Sequence, residues 1–161
     1  MSFRPIKAIQ LLMRDVLRIP EAKIKQGRAN SVYNFKDDFY LVDVDSVQPL
    51  AQGKHYDDET DESRYTLHFK ALATITFMGP SCEEMANKLI TVLNSAERSY
   101  YTQRDLKITL LRMRSYEYIK KQFSGEWWPV IVITAFCQYS YEHRTRANYI
   151  EKIPTKYLNN E

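Results

Sequence analysis

Thirteen consecutive residues alternate between two faces: Tyr65, Leu67, Phe69, Ala71, Ala73, Ile75 and Phe77 on one, Thr66, His68, Lys70, Leu72, Thr74 and Thr76 on the other. A period of two is the signature of a β-strand with one face buried. At ~3.3 Å per residue such a strand is about 43 Å long, while ordinary strands run to about 5–6 residues. A compact chain of 161 residues has a radius of gyration of only about 15 Å. Part of the strand is therefore expected to overhang the core, unless a bulge near Ala71 to Ala73 curls it back.

The stretch Phe39 to Val47 also alternates, with Tyr40, Val42 and Val44 opposite Leu41, Asp43 and Asp45. Paired with the long strand, it predicts an extended, projecting β-hairpin. The segment 48–64 contains Pro49, Gly53 and the run Asp57-Asp58-Glu59-Thr60-Asp61-Glu62, and reads as a flexible acidic loop at the hairpin tip. A two-stranded ribbon leaves its edges open and is marginal in isolation, so a neighbouring molecule is expected to cover it.

Two segments change to helical spacing. Ile6, Ile9, Met13, Val16 and Leu17 recur behind Pro5, a residue suited to a first helical turn. After Met78-Gly79-Pro80, Ser81 and Glu84 have the spacing of a capping box, followed by Met85, Leu89, Val92, Leu93 and Ala96 in a helix expected to reach about Tyr100. Between the first helix and the sheet, Glu21 to Lys36 reads as irregular, with room for a short strand. Lys107 to Ile119 and Trp127 to Tyr141 predict two more strands joined at Ser124-Gly125, with Ile131, Ile133, Ala135, Cys137, Tyr139 and Tyr141 on one face of the second and Pro129 outside full pairing. The polar residues from about 144 to 161 read as a tail. The order predicts a single α+β domain over 1–161: an antiparallel or mixed β-sheet with a long projecting hairpin and two main helices on one face.

Composition narrows the function. Hydrophobic residues make up 44% and there are only 4 Gly and 6 Pro, which suits a packed core rather than disorder. The longest apolar stretch, Trp127 to Cys137, is interrupted by Pro129 and Thr134, so no membrane span is expected. The N-terminal residues lack the apolar core of a secretory signal, and the expected location is cytoplasmic. Two cysteines, Cys82 and Cys137, fall short of a disulfide framework or a structural zinc site, and both are expected to be reduced and buried. Charge is polarised. Residues 1–36 carry eight basic side chains against Asp15 and Glu21, whereas residues 37–63 carry nine acids against Lys54. Opposite blocks of this kind can steer copies into head-to-tail contact, although most charge runs are simply solvated.

A catalytic apparatus is hard to assemble. His55, His68 and His143 stand in no nucleophile motif, and Gly27, Gly53, Gly79 and Gly125 are each isolated, which excludes a phosphate-cradling loop. The acidic run lacks the spacing of a calcium loop, so neither a metal nor a cofactor is expected. Asp43 and Asp45 share a strand face, which makes a metal-dependent nuclease the least implausible enzyme, but the partner strand supplies only His68 and Lys70. A single-stranded nucleic-acid binder would use the Tyr and Trp residues beside Arg112 and Arg114.

The amphipathic first helix, the long hairpin with a polar tip, the passage Ala73-Thr74-Ile75-Thr76-Phe77-Met78-Gly79-Pro80-Ser81 opening the helix Glu83 to Ala96, and the closing strand pair together resemble the tail terminator (tail completion, neck) proteins of long-tailed bacteriophages. The resemblance covers nearly the whole chain. It implies a non-enzymatic virion protein, assembled in the host cytoplasm, that forms a homohexameric ring on the tail tube protein, stops tube growth and meets the head connector or head completion protein. DNA would pass through the lumen without sequence-specific contact. Another connector or neck assembly role is the alternative. On this reading Tyr65, Leu67 and Phe69 are expected as ribbon contacts. Asp57, Asp58, Glu59, Asp61 and Glu62 are expected as partners of the basic N-terminal region or as lumen-facing groups.

Overall fold

The computed structural model describes residues 4–27, 36–57, 59–95 and 107–146. The element order is α1 (Arg4–Val16), β1 (Ile24–Gln26), β2 (Phe39–Asp57), β3 (Glu62–Met78), α2 (Cys82–Leu93), β4 (Ile108–Phe123) and β5 (Glu126–Arg146). The strands form one mixed sheet in the order β1-β2-β3-β5-β4. Among the described residues only the β1–β2 junction is parallel; the others are antiparallel. This is an α+β architecture, as the element order predicts.

The long alternation sets the core. Ala71, Ala73, Ile75 and Phe77 of β3 are buried, and their partners across β5 are Cys137, Ala135, Ile133 and Ile131. On the other side Val42 and Tyr40 of β2 lie opposite Ile75 and Phe77, and the Tyr40 and Phe77 rings meet edge to face at 5.6 Å. This face forms one cluster with Ile6, Ile9, Leu12 and Met13 of α1 and with Cys82, Ala86 and Leu89 of α2. Each fully buried large side chain in it contributes about 1.5–3 kcal/mol. The opposite face holds a smaller cluster of Leu41, Met78 and Val130, flanked by Phe39 and Trp128.

The segment between α1 and the sheet contains the short strand β1, with Ile24 buried beside Tyr40. α1 ends where Arg18 turns left-handed, at φ 56. Pro129 pairs with Lys120 of β4 but lies one residue beyond the β3–β5 ladder, which ends at Val130. A ring without an N–H is tolerated there.

Three expectations are corrected. First, the segment 48–64 is mostly strand: β2 runs to Asp57 and β3 begins at Glu62. Pro49 and Gly53 read as breakers, but two bulges, at Asp45/Gln48 and Pro49/Ala51, accommodate the former within the ladder. Second, the ribbon is three-stranded, because β5 continues beside β3 as far as the Glu62–Arg146 pair. Of the expected tail, residues up to 146 are therefore strand, and 147–161 lie outside the described residues. Third, Ser81 makes no side-chain capping bond. Its backbone N–H donates instead to Asp38 Oδ1 at 2.8 Å, so an upstream carboxylate caps α2. That helix stops at Leu93, and the expected continuation toward Tyr100 lies outside the described residues from position 96 onward.

Candidate assembly surface

The buried row of the sheet does not end where the helices end. Beyond Ala71 the same face of β3 continues through Phe69, Leu67 and Tyr65, and their partners on β5 are Tyr139, Tyr141 and His143. Phe69 stacks on Tyr139, with ring centroids 5.3 Å apart, and packs against the core cluster. Leu67 and Tyr65 are half-buried, and Tyr141 is 52% exposed. Lys54 of β2 holds its ammonium 5.4 Å from the centre of the Tyr65 ring. The result is an aromatic strip that begins inside the core and runs outward. The β2 residues from Ser46 to Tyr56 are all exposed, so this half of the sheet stands on its strand ladders.

Of the expected contact residues, Tyr65 and Leu67 occupy this strip, whereas Phe69 is committed in part to its own core. Tyr141 was not among the expected contact residues, although the sequence places it on the apolar face of its strand. The alternation of β5 carried the signal, since it places Tyr141 in the row of Cys137 and Tyr139.

The acidic tip is partly self-occupied. Asp57 Oδ1 accepts the Glu59 backbone N–H at 3.0 Å, and Arg64 lies 3.9 Å from its other oxygen. Hydrogen bonds from the Thr60 hydroxyl and the Glu59 N–H, with Arg64 nearby, hold the Asp57 carboxyl below the usual carboxylate range. The Tyr56 hydroxyl donates to Asp61. Glu59 is exposed and Glu62 half-buried in register with Arg146; Asp58 lies outside the described residues.

The opposite face of the ribbon is polar. His68 and Ser140 are hydrogen-bonded at 2.7 Å beside a cleft of about 540 Å³ that also takes in Lys107, Thr109 and Gln138. Nearby, Lys70 lies 4.1 Å and Arg114 5.8 Å from the Phe136 ring centre. Asp43 and Asp45 face Thr74 and Leu72 across the ladder, and no group of three His, Cys, Asp or Glu gathers among the described residues. Trp128 is packed on the small second-face cluster, while Trp127 is 65% exposed at the β4–β5 turn.

A family model described as phage neck terminator protein matches residues 6–161. The chain belongs to the phage neck terminator family. Comparison with curated proteins found no match. As a neck terminator it is a structural component of the phage particle, at the tail, in contact with tail and head proteins. Among the described residues no helix is long and apolar enough to cross a membrane. In this neck terminator the core cluster joins the helices to one end of the sheet's buried face, and the aromatic strip continues that face along β3 and β5.

Proposed function

We propose that this chain is a single-domain, non-enzymatic virion protein that caps the tail tube as a homohexameric ring. The ring ends tube polymerisation, presents a surface to the head connector and lets DNA pass through its lumen. The observation that carries the reading is the apolar strip of Tyr65, Leu67 and Tyr141, which continues the buried face of the sheet past the residues of the core cluster. An apolar strip on an extended sheet is an aggregation hazard in a solitary molecule and an asset in one that assembles. Rings need heterologous contacts, in which one surface meets a different surface of the next copy. Here the ribbon supplies one side, and the acidic tip, where Glu59 and Asp61 are exposed, meets the exposed cations of the neighbour's N-terminal region, such as Arg18, Lys23 and Lys25.

The test is to mix the purified protein with tail tubes and image them by electron microscopy. The expected result is a ring at one end of each tube and an arrest of tube growth. A strictly monomeric protein that leaves tubes unaltered overturns the reading. Exposed Trp127 favours single-stranded nucleic-acid binding as the second reading. Salt-dependent quenching of its fluorescence by oligonucleotides supports that reading, and no quenching at low salt removes it.

A further inference from the structure

The sheet face turned away from the helices changes character along its length. Near the tip its cations are matched: Arg64 lies 3.9 Å from an Asp57 oxygen, and Arg144 Nε donates to Glu142 at 2.9 Å. At the middle of the face they are not. Among the described residues Lys70, Lys107 and Arg114 form no ion pair.

Strand register gathers these three cations. Lys70 stands opposite Gln138 and His68 opposite Ser140, while Thr109 of β4 faces Gln138 from the other side. Lys107 and Thr109 join His68, Gln138 and Ser140 in the cleft of about 540 Å³. Next to it, Lys70 Nζ and Arg114 Cζ lie 4.1 and 5.8 Å from the centre of the same Phe136 ring. Like charges held over one ring repel each other, and a bound anion relieves the repulsion. The carboxylates of this face are committed or distant. Glu142 bonds Arg144, Asp43 and Asp45 have interactions of their own on β2, and Glu117 stands further along β4, opposite Val132.

The arrangement is a row rather than a point. From Phe136 to Ser140 it follows β5 for about 13 Å at ~3.3 Å per residue, flanked by the three cations. An extended polyanion fits such a row, and the Thr109 hydroxyl and Gln138 amide between the cations suit phosphate oxygens, which accept from side chains of these types. The acidic tip of another copy is the poorer match, because Asp57 and Asp61 already accept hydrogen bonds within their own turn.

We propose that the middle of this face binds the phosphate backbone of DNA, with Lys70, Lys107 and Arg114 neutralising phosphates and no base being read. The inference rests on the reading in which DNA passes through the ring, and names the surface that meets it. Contacts of this kind are indifferent to sequence and weaken steeply with salt.

Fluorescence anisotropy of the purified protein with short labelled DNA duplexes of unrelated sequence, titrated at several salt concentrations, tests this. Each of Lys70→Gln, Lys107→Gln and Arg114→Gln is expected to weaken binding about threefold or more on every sequence and to lower the salt slope by about 1. Lys120→Gln, exposed on the opposite face in register with Pro129, is expected to leave both unchanged. Three variants that bind DNA as the parent does, yet still cap tubes, overturn the DNA face while leaving the ring intact. Binding restricted to single strands and lost only in Trp127→Ala overturns it in favour of base stacking. A peptide of residues 57–62 that binds the parent but none of the three variants, in a protein that ignores DNA, overturns it in favour of a neighbour's tip. DNA binding weakened in the three variants of a protein that caps no tubes supports the phosphate site and overturns the ring.

Discussion

Asp38 caps a helix that begins 43 residues later: its Oδ1 accepts the Ser81 backbone N–H at 2.8 Å. The bond ties the chain entering β2 to the first turn of α2 and satisfies a donor the helix itself leaves unpaired. Asp38→Ala is expected to cost about 1 kcal/mol, and Ser81→Ala much less, because the Ser81 hydroxyl makes no capping bond. Urea denaturation of the two variants checks the order.

Gly79 is the second lock on the same junction. Its φ is +98, and a Cβ there would lie 2.4 Å from the Asp37 carbonyl oxygen and 2.6 Å from Asp38 Cα. Both neighbours are backbone, so neither can move aside cheaply. Gly79→Ala is expected to destabilise by at least about 2 kcal/mol, from strain and overlap together. Gly125→Ala, at φ +79 with open space around it, bears the strain alone and is expected to cost less. Thermal unfolding of both variants separates the two contributions.

The aromatic strip divides into a structural and an assembly portion. Phe69→Ala removes the stack on Tyr139 and core packing, and is expected to cost about 2 kcal/mol or more. Tyr141→Ser acts on a half-exposed ring, is expected to stay within about 0.5 kcal/mol of the parent, and should reduce ring formation on tubes. Circular dichroism melts combined with tube-capping counts distinguish them. Equal losses of stability would refute the division.

The tip should respond to acid. The Asp57 carboxyl titrates below its unfolded value of about 3.9, so its contribution is present above that pH and is lost as the pH falls through the lowered folded value. Amide exchange at Glu59 and Thr60 is expected to show faster opening below about pH 4, relative to the intrinsic rate, and Asp57→Asn to remove the dependence.

Neither thiol should react in the folded protein. Burial pushes Cys137 up to about 11 and also raises Cys82, and both lie inside the core cluster. Ellman's reagent at pH 8 is expected to label no cysteine in the native chain and both Cys82 and Cys137 in denaturant.

The core was legible because burial writes a period into the sequence. The alternation from Tyr65 to Phe77 and that of Ile131 to Tyr141 predict two rows that the fold places side by side. The outer half of β2 was not legible. From Ser46 to Tyr56 every residue is exposed, so no buried face imposes alternation, and Pro49 and Gly53 suggest a loop. The cap of α2 was misread for a different reason: Ser81 and Glu84 have local capping spacing, but the actual acceptor is Asp38, distant in sequence. Of the candidate surface, Tyr65 and Leu67 could be read from the alternation. The self-bonding of Asp57 and Asp61 could not, because a run of acids does not disclose which of them its own turn will use.

β3 and β5 remain in step for their whole shared length, Glu62–Arg146 to Met78–Val130, without a single slip, while β2 beside them is interrupted by two bulges. The ribbon is thus a stiff spar with a compliant margin. A load applied at the turn between Asp57 and Glu62 is therefore expected to be carried by the continuous pair toward the Gly79 corner, with bending concentrated at the two bulges of β2.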